Sequence, residues 1–154
     1  MAGTTRSRRK FLTRVAALLA LPAAAPRAAR AQESTVDAML RKVTAGAQIT
    51  AGRVKLELPA LAENGNSVGL KVSVDSPMSA TDFVRSIHLY AEKNPRPNIA
   101  NFYLGPRSGR AQVVTRVRLA GTQSVLAVAA LSDGTFWSGT AEVNVTNSAC
   151  YDGS

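Results

Sequence analysis

The chain has 154 residues, 45% of them hydrophobic, with 19 Lys and Arg against 10 Asp and Glu, a formal net charge of +9. One cysteine and one histidine are too few soft ligands for a zinc or copper centre built by this chain alone. No phosphate-binding glycine loop, dinucleotide fingerprint or G-x-S-x-G elbow occurs, which removes those enzyme classes.

The first 31 residues read as an export signal. Arg6, Arg8, Arg9, Lys10 and Arg14 precede the apolar run Val15 to Ala25, and Ala29-Arg30-Ala31 follows as a small-x-small cleavage site. An apolar run this short falls below the roughly 20 residues that a stable membrane span needs. The stretch "SRRKFLT", with Arg8 and Arg9 as the pair, is similar to the twin-arginine signal; an ordinary Sec signal is the alternative. Cleavage is expected after Ala31. The segment holds seven basic and no acidic residues, so the remainder has 19 − 7 = 12 basic against 10 acidic residues, a charge of +2. No basic stripe survives to follow a phosphate backbone, and nucleic-acid binding loses its support. The signal implies the bacterial periplasm, where disulfides form. A lone cysteine there has no internal partner: it pairs with another chain or stays a free reactive thiol.

The other 154 − 31 = 123 residues suffice for one domain with a core. Glu33 to Ala47 is expected to be helical: Val36, Met39, Leu40 and Val43 form an i, i+3, i+4, i+7 stripe. Ser34 and Asp37 approximate a capping box, and Gly46 is a stop. After Gly52 the period becomes two. "RVKLELP" and "SVGLKVSVD" alternate as strands, with "ENGN" between them as a hairpin-type turn. Phe83–Ala91, Asn98–Leu104, Arg110–Leu119, Ser124–Leu131 and Thr135–Val145 complete seven expected strands, separated by "DSPMSA", "NPRPN", "GPRSG", "AGTQ" and "SDGT". "SVLAVAAL" is apolar on both faces and is expected in mid-sheet. Seven such strands with one short helix predict an all-β, immunoglobulin-like sandwich. The organisation expected is a signal over 1–31, the sandwich over 32–146 and a flexible C-terminal arm over 147–154.

His88 falls opposite Ile87, Leu89 and Ala91 and reads as a half-exposed strand residue. Phe102, Phe136 and Trp137 read as core or interface aromatics. Cys150 lies four residues from the C-terminus. Extended from Thr146 at about 3.3–3.6 Å per residue, such an arm would carry the thiol roughly 15–18 Å from the domain. A tethered thiol can visit several partners in turn. A Cys150–His88 couple for hydrolysis is a competing reading, as is a cysteine that only crosslinks two chains.

The stretches "SPMSATDFVRSIHLYAEKNPRPNIANFYLGP", "TRVRLAG" and "VLAVAALSDGTFWSG", continuing to the terminal cysteine, carry a likeness over nearly the whole chain after the signal. On them the chain resembles the SoxY family of sulfur carriers. The resemblance implies an immunoglobulin-like sandwich that is not an enzyme, binds no cofactor and holds sulfur intermediates covalently on Cys150. It implies a heterodimer with a SoxZ-like subunit. It also implies transient partners: a haem c enzyme that conjugates thiosulfate to the thiol, a hydrolase that releases sulfate, and a dehydrogenase that oxidises the remaining sulfane sulfur.

The arm departs from the family pattern. Where the family has Gly-Gly-Cys-Gly-Gly, this chain has Ser148-Ala149-Cys150-Tyr151-Asp152, closer to a related branch reading Ala-Ala-Cys-Ile-Glu. Loss of the glycines removes access to positive φ and stiffens the arm. Asp152 places negative charge near the sulfur, which disfavours the thiolate and repels a thiosulfate dianion. Another sulfur species or partner set becomes an alternative, as does an interaction subunit that carries nothing.

Overall fold

The computed structural model describes residues 34–149. The signal segment with Arg8 and Arg9, and the arm residues Cys150, Tyr151 and Asp152, lie outside the described residues.

Helix α1 spans Thr35–Thr44. Ser34 Oγ accepts the Asp37 amide at 3.1 Å, and the Ser34 amide donates to the Asp37 carboxylate at 3.3 Å, completing the capping box. The helix ends through Ala45 (φ 52°) and Gly46 (φ 82°), whose amide reaches the Arg41 carbonyl at 3.2 Å.

Nine strands follow among the described residues: β1 Ile49–Ala51, β2 Val54–Glu57, β3 Leu61–Asn64, β4 Val68–Val74, β5 Val84–Ala91, β6 Asn98–Tyr103, β7 Gln112–Val117, β8 Gln123–Leu131 and β9 Phe136–Asn147. One sheet has the order β1-β9-β8-β5-β6, with β3 also on β9; the other has the order β2-β4-β7. The architecture is the expected immunoglobulin-like sandwich. Strand β8, the "SVLAVAAL" segment, lies between β9 and β5 as its two-sided apolar character requires.

Two strands exceed the seven read from alternation. β1 and β3 are three and four residues long, too short to show a period. Both pair in parallel with the long β9, β1 on its first half and β3 on its last. The "ENGN" turn is a turn but not a hairpin. Asn64 Oδ1 accepts the Asn66 amide at 2.9 Å, yet the strands it joins, β3 and β4, belong to different sheets. β2 does pair with β4, Val54 opposite Val74 and Glu57 opposite Lys71, after the chain has crossed to β9 and back.

The main core lies between the sheets. Val72, Val84, Ile87, Leu89, Leu119, Val125 and Leu131 are all fully buried there. A second cluster covers the outer face of the larger sheet, where Val36 of α1, with Met39, Leu40 and Val43 beside it, packs on Tyr90, Val128, Ala130 and Phe136. That helix is why β5 is buried on both faces.

Candidate functional site at the base of the C-terminal arm

Strand β9 leads to the cysteine. It remains hydrogen-bonded to Asn147 because β3 runs beside it, pairing Leu61 with Asn144, Ala62 with Val145 and Asn64 with Asn147. The next residue of the β3 turn, Gly65, then joins three segments. Its amide donates to the Asn147 carbonyl at 2.8 Å, and its carbonyl accepts the Leu119 amide at 2.8 Å. The Leu119 carbonyl in turn accepts the Ala149 amide at 3.2 Å. Gly65 is buried, and a Cβ there would collide with the Leu119 carbonyl oxygen and lie 2.7 Å from the Ala149 nitrogen. No side chain fits where three backbones meet.

Ala149 is therefore 4% exposed, whereas Ser148 is exposed beside Gly121. This shortens the reach expected from Thr146: the chain is attached to the sandwich through Ala149, the residue before Cys150. The small side chain of Ala149 is what lets its backbone approach Gly65 and Leu119 closely. The sequence signal for the seat was the Asn-Gly of "ENGN", which was read as hairpin chemistry alone.

The loop that supplies Leu119 is held from the other side. Asn94 Nδ2 donates to the Arg118 carbonyl at 2.8 Å, and its Oδ1 accepts the Ala120 amide at 2.9 Å and Gln123 Nε2 at 3.0 Å. Lys93 Nζ donates to the Thr122 carbonyl at 2.6 Å. Glu92, Lys93, Thr122, Ser124 and Glu142 border a shallow depression on this side of β8 and β9. The end of the sandwich that presents residue 149 is thus a fastened set of loops.

His88 is not half-exposed but 7% exposed, because the sheet face it occupies is covered by α1 and flanked by Tyr103. Its Nδ1 lies 2.8 Å from Asn101 Oδ1 and its Nε2 3.0 Å from Ser86 Oγ. Asn101 and Asn98 exchange two amide hydrogen bonds of 2.9 Å, which orients Asn101 with Oδ1 as acceptor. His88 therefore donates from Nδ1, and in its neutral form accepts the Ser86 hydroxyl at Nε2.

The distance to the arm is decisive for the hydrolase reading. His88 stands opposite Val128, which stands opposite Ser138, 147 − 138 = 9 residues along β9 from Asn147. At about 3.3 Å per residue that is about 30 Å, beyond the few residues of arm that follow. The structure does not bring His88 and the arm base together. Phe136 is buried under α1, and Phe102 and Trp137 are half-buried against the main core. Among the described residues no three His, Cys, Asp or Glu side chains gather into a metal site, and no helix is long and apolar enough to cross a membrane.

An all-β sandwich whose final long strand ends at a docked Ala149, the residue before the cysteine in sequence, defines the class. Residues 40–150 match the family described as sulfur oxidation protein SoxY, and the chain belongs to that family. The sulfur carrier protein SoxY from Chlorobium limicola f thiosulfatophilum superposes with a TM-score of 0.61 at 24% identity, covering 71% of this chain and 90% of that one. A superoxide reductase (neelaredoxin) from Ignicoccus hospitalis gives 0.56 at 19% identity, over 63% of this chain and 94% of that one. The superoxide reductase from Nanoarchaeum equitans gives 0.52 at 13%, over 62% and 100%. At these identities the likenesses concern the fold. A comparison with proteins of curated function finds no match.

Proposed function

We propose that the protein is a periplasmic sulfur carrier, not itself an enzyme, holding sulfur covalently on Cys150 while partner enzymes act on it. The observation that carries this reading is the SoxY match over residues 40–150, whose last residue is the chain's only cysteine. The twin-arginine-like signal supports export. Folded export also fits departure from the cell already paired with a SoxZ-like subunit. Three large apolar side chains exposed among the described residues, Leu61, Tyr103 and Val114, are candidates for that interface.

The chemistry would run in balanced steps. The thiolate forms a bond to the outer sulfur of thiosulfate, and two electrons pass to a haem c enzyme. Water then cleaves the bond to the sulfonate, its oxygen leaving as sulfate and its protons going to solvent, so that a persulfide stays on Cys150. In a third step three waters supply the oxygens and six electrons pass to a dehydrogenase, leaving that sulfane sulfur as a sulfonate, which is hydrolysed as before to free the thiolate. The substituted arm favours cargo less charged than thiosulfate; a sulfane sulfur passed to the thiolate from a polysulfide, which leaves one sulfur shorter, gives the persulfide directly and bypasses the first two steps.

The test is intact-mass analysis of protein purified without reductant from sulfur-grown cells. Masses increased by whole sulfur atoms, lost on reduction and absent from Cys150→Ser, are expected; unmodified thiol throughout counts against carriage. The second reading, an interaction subunit without cargo, draws on the replaced arm glycines. It predicts unchanged sulfur oxidation in cells carrying Cys150→Ser, with partner binding intact.

A further inference from the structure

We infer that the crevice between α1 and the β5–β6 edge of the larger sheet binds a small organic anion, a carboxylate carried on an apolar ring or chain. Val43 of α1, Phe136 and the ring of Tyr103 give the crevice apolar walls, and Arg85, Ser86 and His88 are its polar residues. Its volume is about 340 Å³, in the lower part of the range for small-molecule sites. No Asp or Glu lines it, so the charge it recognises is negative.

A break in strand alternation builds the polar side. β5 pairs Val84 with Leu131 and Ser86 with the next residue, Ala130, so Arg85 is an extra residue, a β-bulge. Val84 faces the main core. Regular alternation would turn Ser86 to the core as well; the extra residue restores it to the outer face, where Arg85 lines the crevice beside it. Bulges re-aim side chains in this way. Arg85 is exposed, and among the described residues no carboxylate forms an ion pair with it.

The floor adapts to charge. The Asn98–Asn101 exchange fixes the His88 Nδ1–H on Asn101 Oδ1, so a second proton goes to Nε2. While Nε2 is bare, the Ser86 hydroxyl 3.0 Å away donates to it and shows the crevice only lone pairs. A proton taken from solvent at Nε2 reverses that bond. Nε2–H then donates to Ser86 Oγ, and the Ser86 hydroxyl proton turns to the crevice as a donor with the imidazolium charge behind it. The other titratable groups on this face are all cations or phenols. β5 adds Arg85 and Tyr90, β6 adds Tyr103, whose ring meets His88 edge-on at 6.2 Å, and α1 carries Arg41 and Lys42 in its last turn. Opposite His88, β8 presents Val128. The anion therefore enters together with one proton, and more tightly as pH falls.

The test titrates the isotope-labelled full chain with sodium benzoate, a carboxylate throughout, and follows backbone amide shifts at about pH 5.5 and about pH 8, either side of the ordinary imidazole value. Shifts centred on Ser86, His88 and Tyr103 are expected, with affinity about tenfold higher at the lower pH. Benzyl alcohol, the ring without the charge, and acetate, the charge without the ring, should each bind about tenfold more weakly. Arg85→Gln and Ser86→Ala should each weaken benzoate by about tenfold, the scale of one lost charge-assisted hydrogen bond. Arg85 is exposed and decides the matter if Ser86→Ala fails to fold. Shifts away from the crevice, benzyl alcohol binding as tightly as benzoate, equal affinity at the two pH values, or Arg85→Gln without effect would each overturn the inference. Sulfur loading plays no part in the measurement, so its outcome stands apart from the carrier reading.

Discussion

The side-chain amide of Asn94 donates to the carbonyl of Arg118 at 2.8 Å, one residue before the carbonyl that holds Ala149. Asn94 thereby braces the arm's seat from the opposite loop. Replacement by Ala removes three hydrogen bonds and leaves the Nε2 of Gln123, 6% exposed, with only the Gly121 carbonyl at 3.3 Å as acceptor. Asn94→Ala should cost about 2 kcal/mol, because three hydrogen bonds that tie the loop together go at once. It should also speed hydrogen exchange at the Ala149 amide. Urea unfolding and amide exchange measure both. A loss under about 0.5 kcal/mol would mean that the loop does not depend on this brace.

Replacing His88 by Leu tests the opposite end of the sandwich. The substitution strands the buried Ser86 hydroxyl, 3.0 Å from His88 Nε2, and takes the His88 donor from Asn101 Oδ1, which keeps the Asn98 amide at 2.9 Å. A loss of about 2 kcal/mol in unfolding free energy is expected, with sulfur loading of Cys150 unchanged in the folded protein. Abolished loading in a folded His88→Leu variant would restore the thiolate–imidazole couple despite about 30 Å of intervening strand.

Strands with a long apolar alternation were legible because each presents one face to the core. Val68, Leu70, Val72 and Val74 are buried in register along β4. The capping box of Ser34 and Asp37 was legible for a similar local reason. What escaped depends on tertiary contact. β3, "LAEN", has a single buried residue, Ala62, and is a strand only because β9 lies beside it. His88 was misjudged because the sheet face it shares with Tyr90 is covered by a helix distant in sequence. Of the site, the cysteine was legible and its seat was not. Gly65 looks like any turn glycine until Leu119 and Ala149 are brought against it.

The second close approach of backbones gives a prediction independent of function. A Cβ on Gly139 of β9 would collide with the Val54 carbonyl and lie 3.3 Å from the Val54 Cβ. Strand β2 belongs to the other sheet, so the glycine lets the two sheets meet at one corner. Gly139→Ala should destabilise by about 3 kcal/mol, at the upper end of overpacking costs, while Gly69→Ala stays near wild type. Thermal unfolding of the two variants side by side checks this; equal midpoints would refute the close approach.

Burial of Tyr90 predicts a loss of stability at alkaline pH. It is 2% exposed beneath α1, and burial raises its pKa by penalising the phenolate; a hydrogen bond with Asn98 opposes the shift and the nearby Tyr103 adds to it. In the unfolded chain the phenol titrates at the usual value of about 10. Because the folded value is the higher one, the unfolded state loses its proton first as pH rises. The contribution of Tyr90 is therefore fully present below about pH 10 and is lost as pH climbs through the folded value. Tyr90→Phe keeps the ring in place and removes this titration. Stability measured by urea unfolding should fall more steeply above about pH 10 in wild type than in Tyr90→Phe, and the phenolate absorbance difference between the two proteins should show Tyr90 ionising above about pH 10. Parallel pH profiles for the two proteins would show that the buried phenol does not drive that loss.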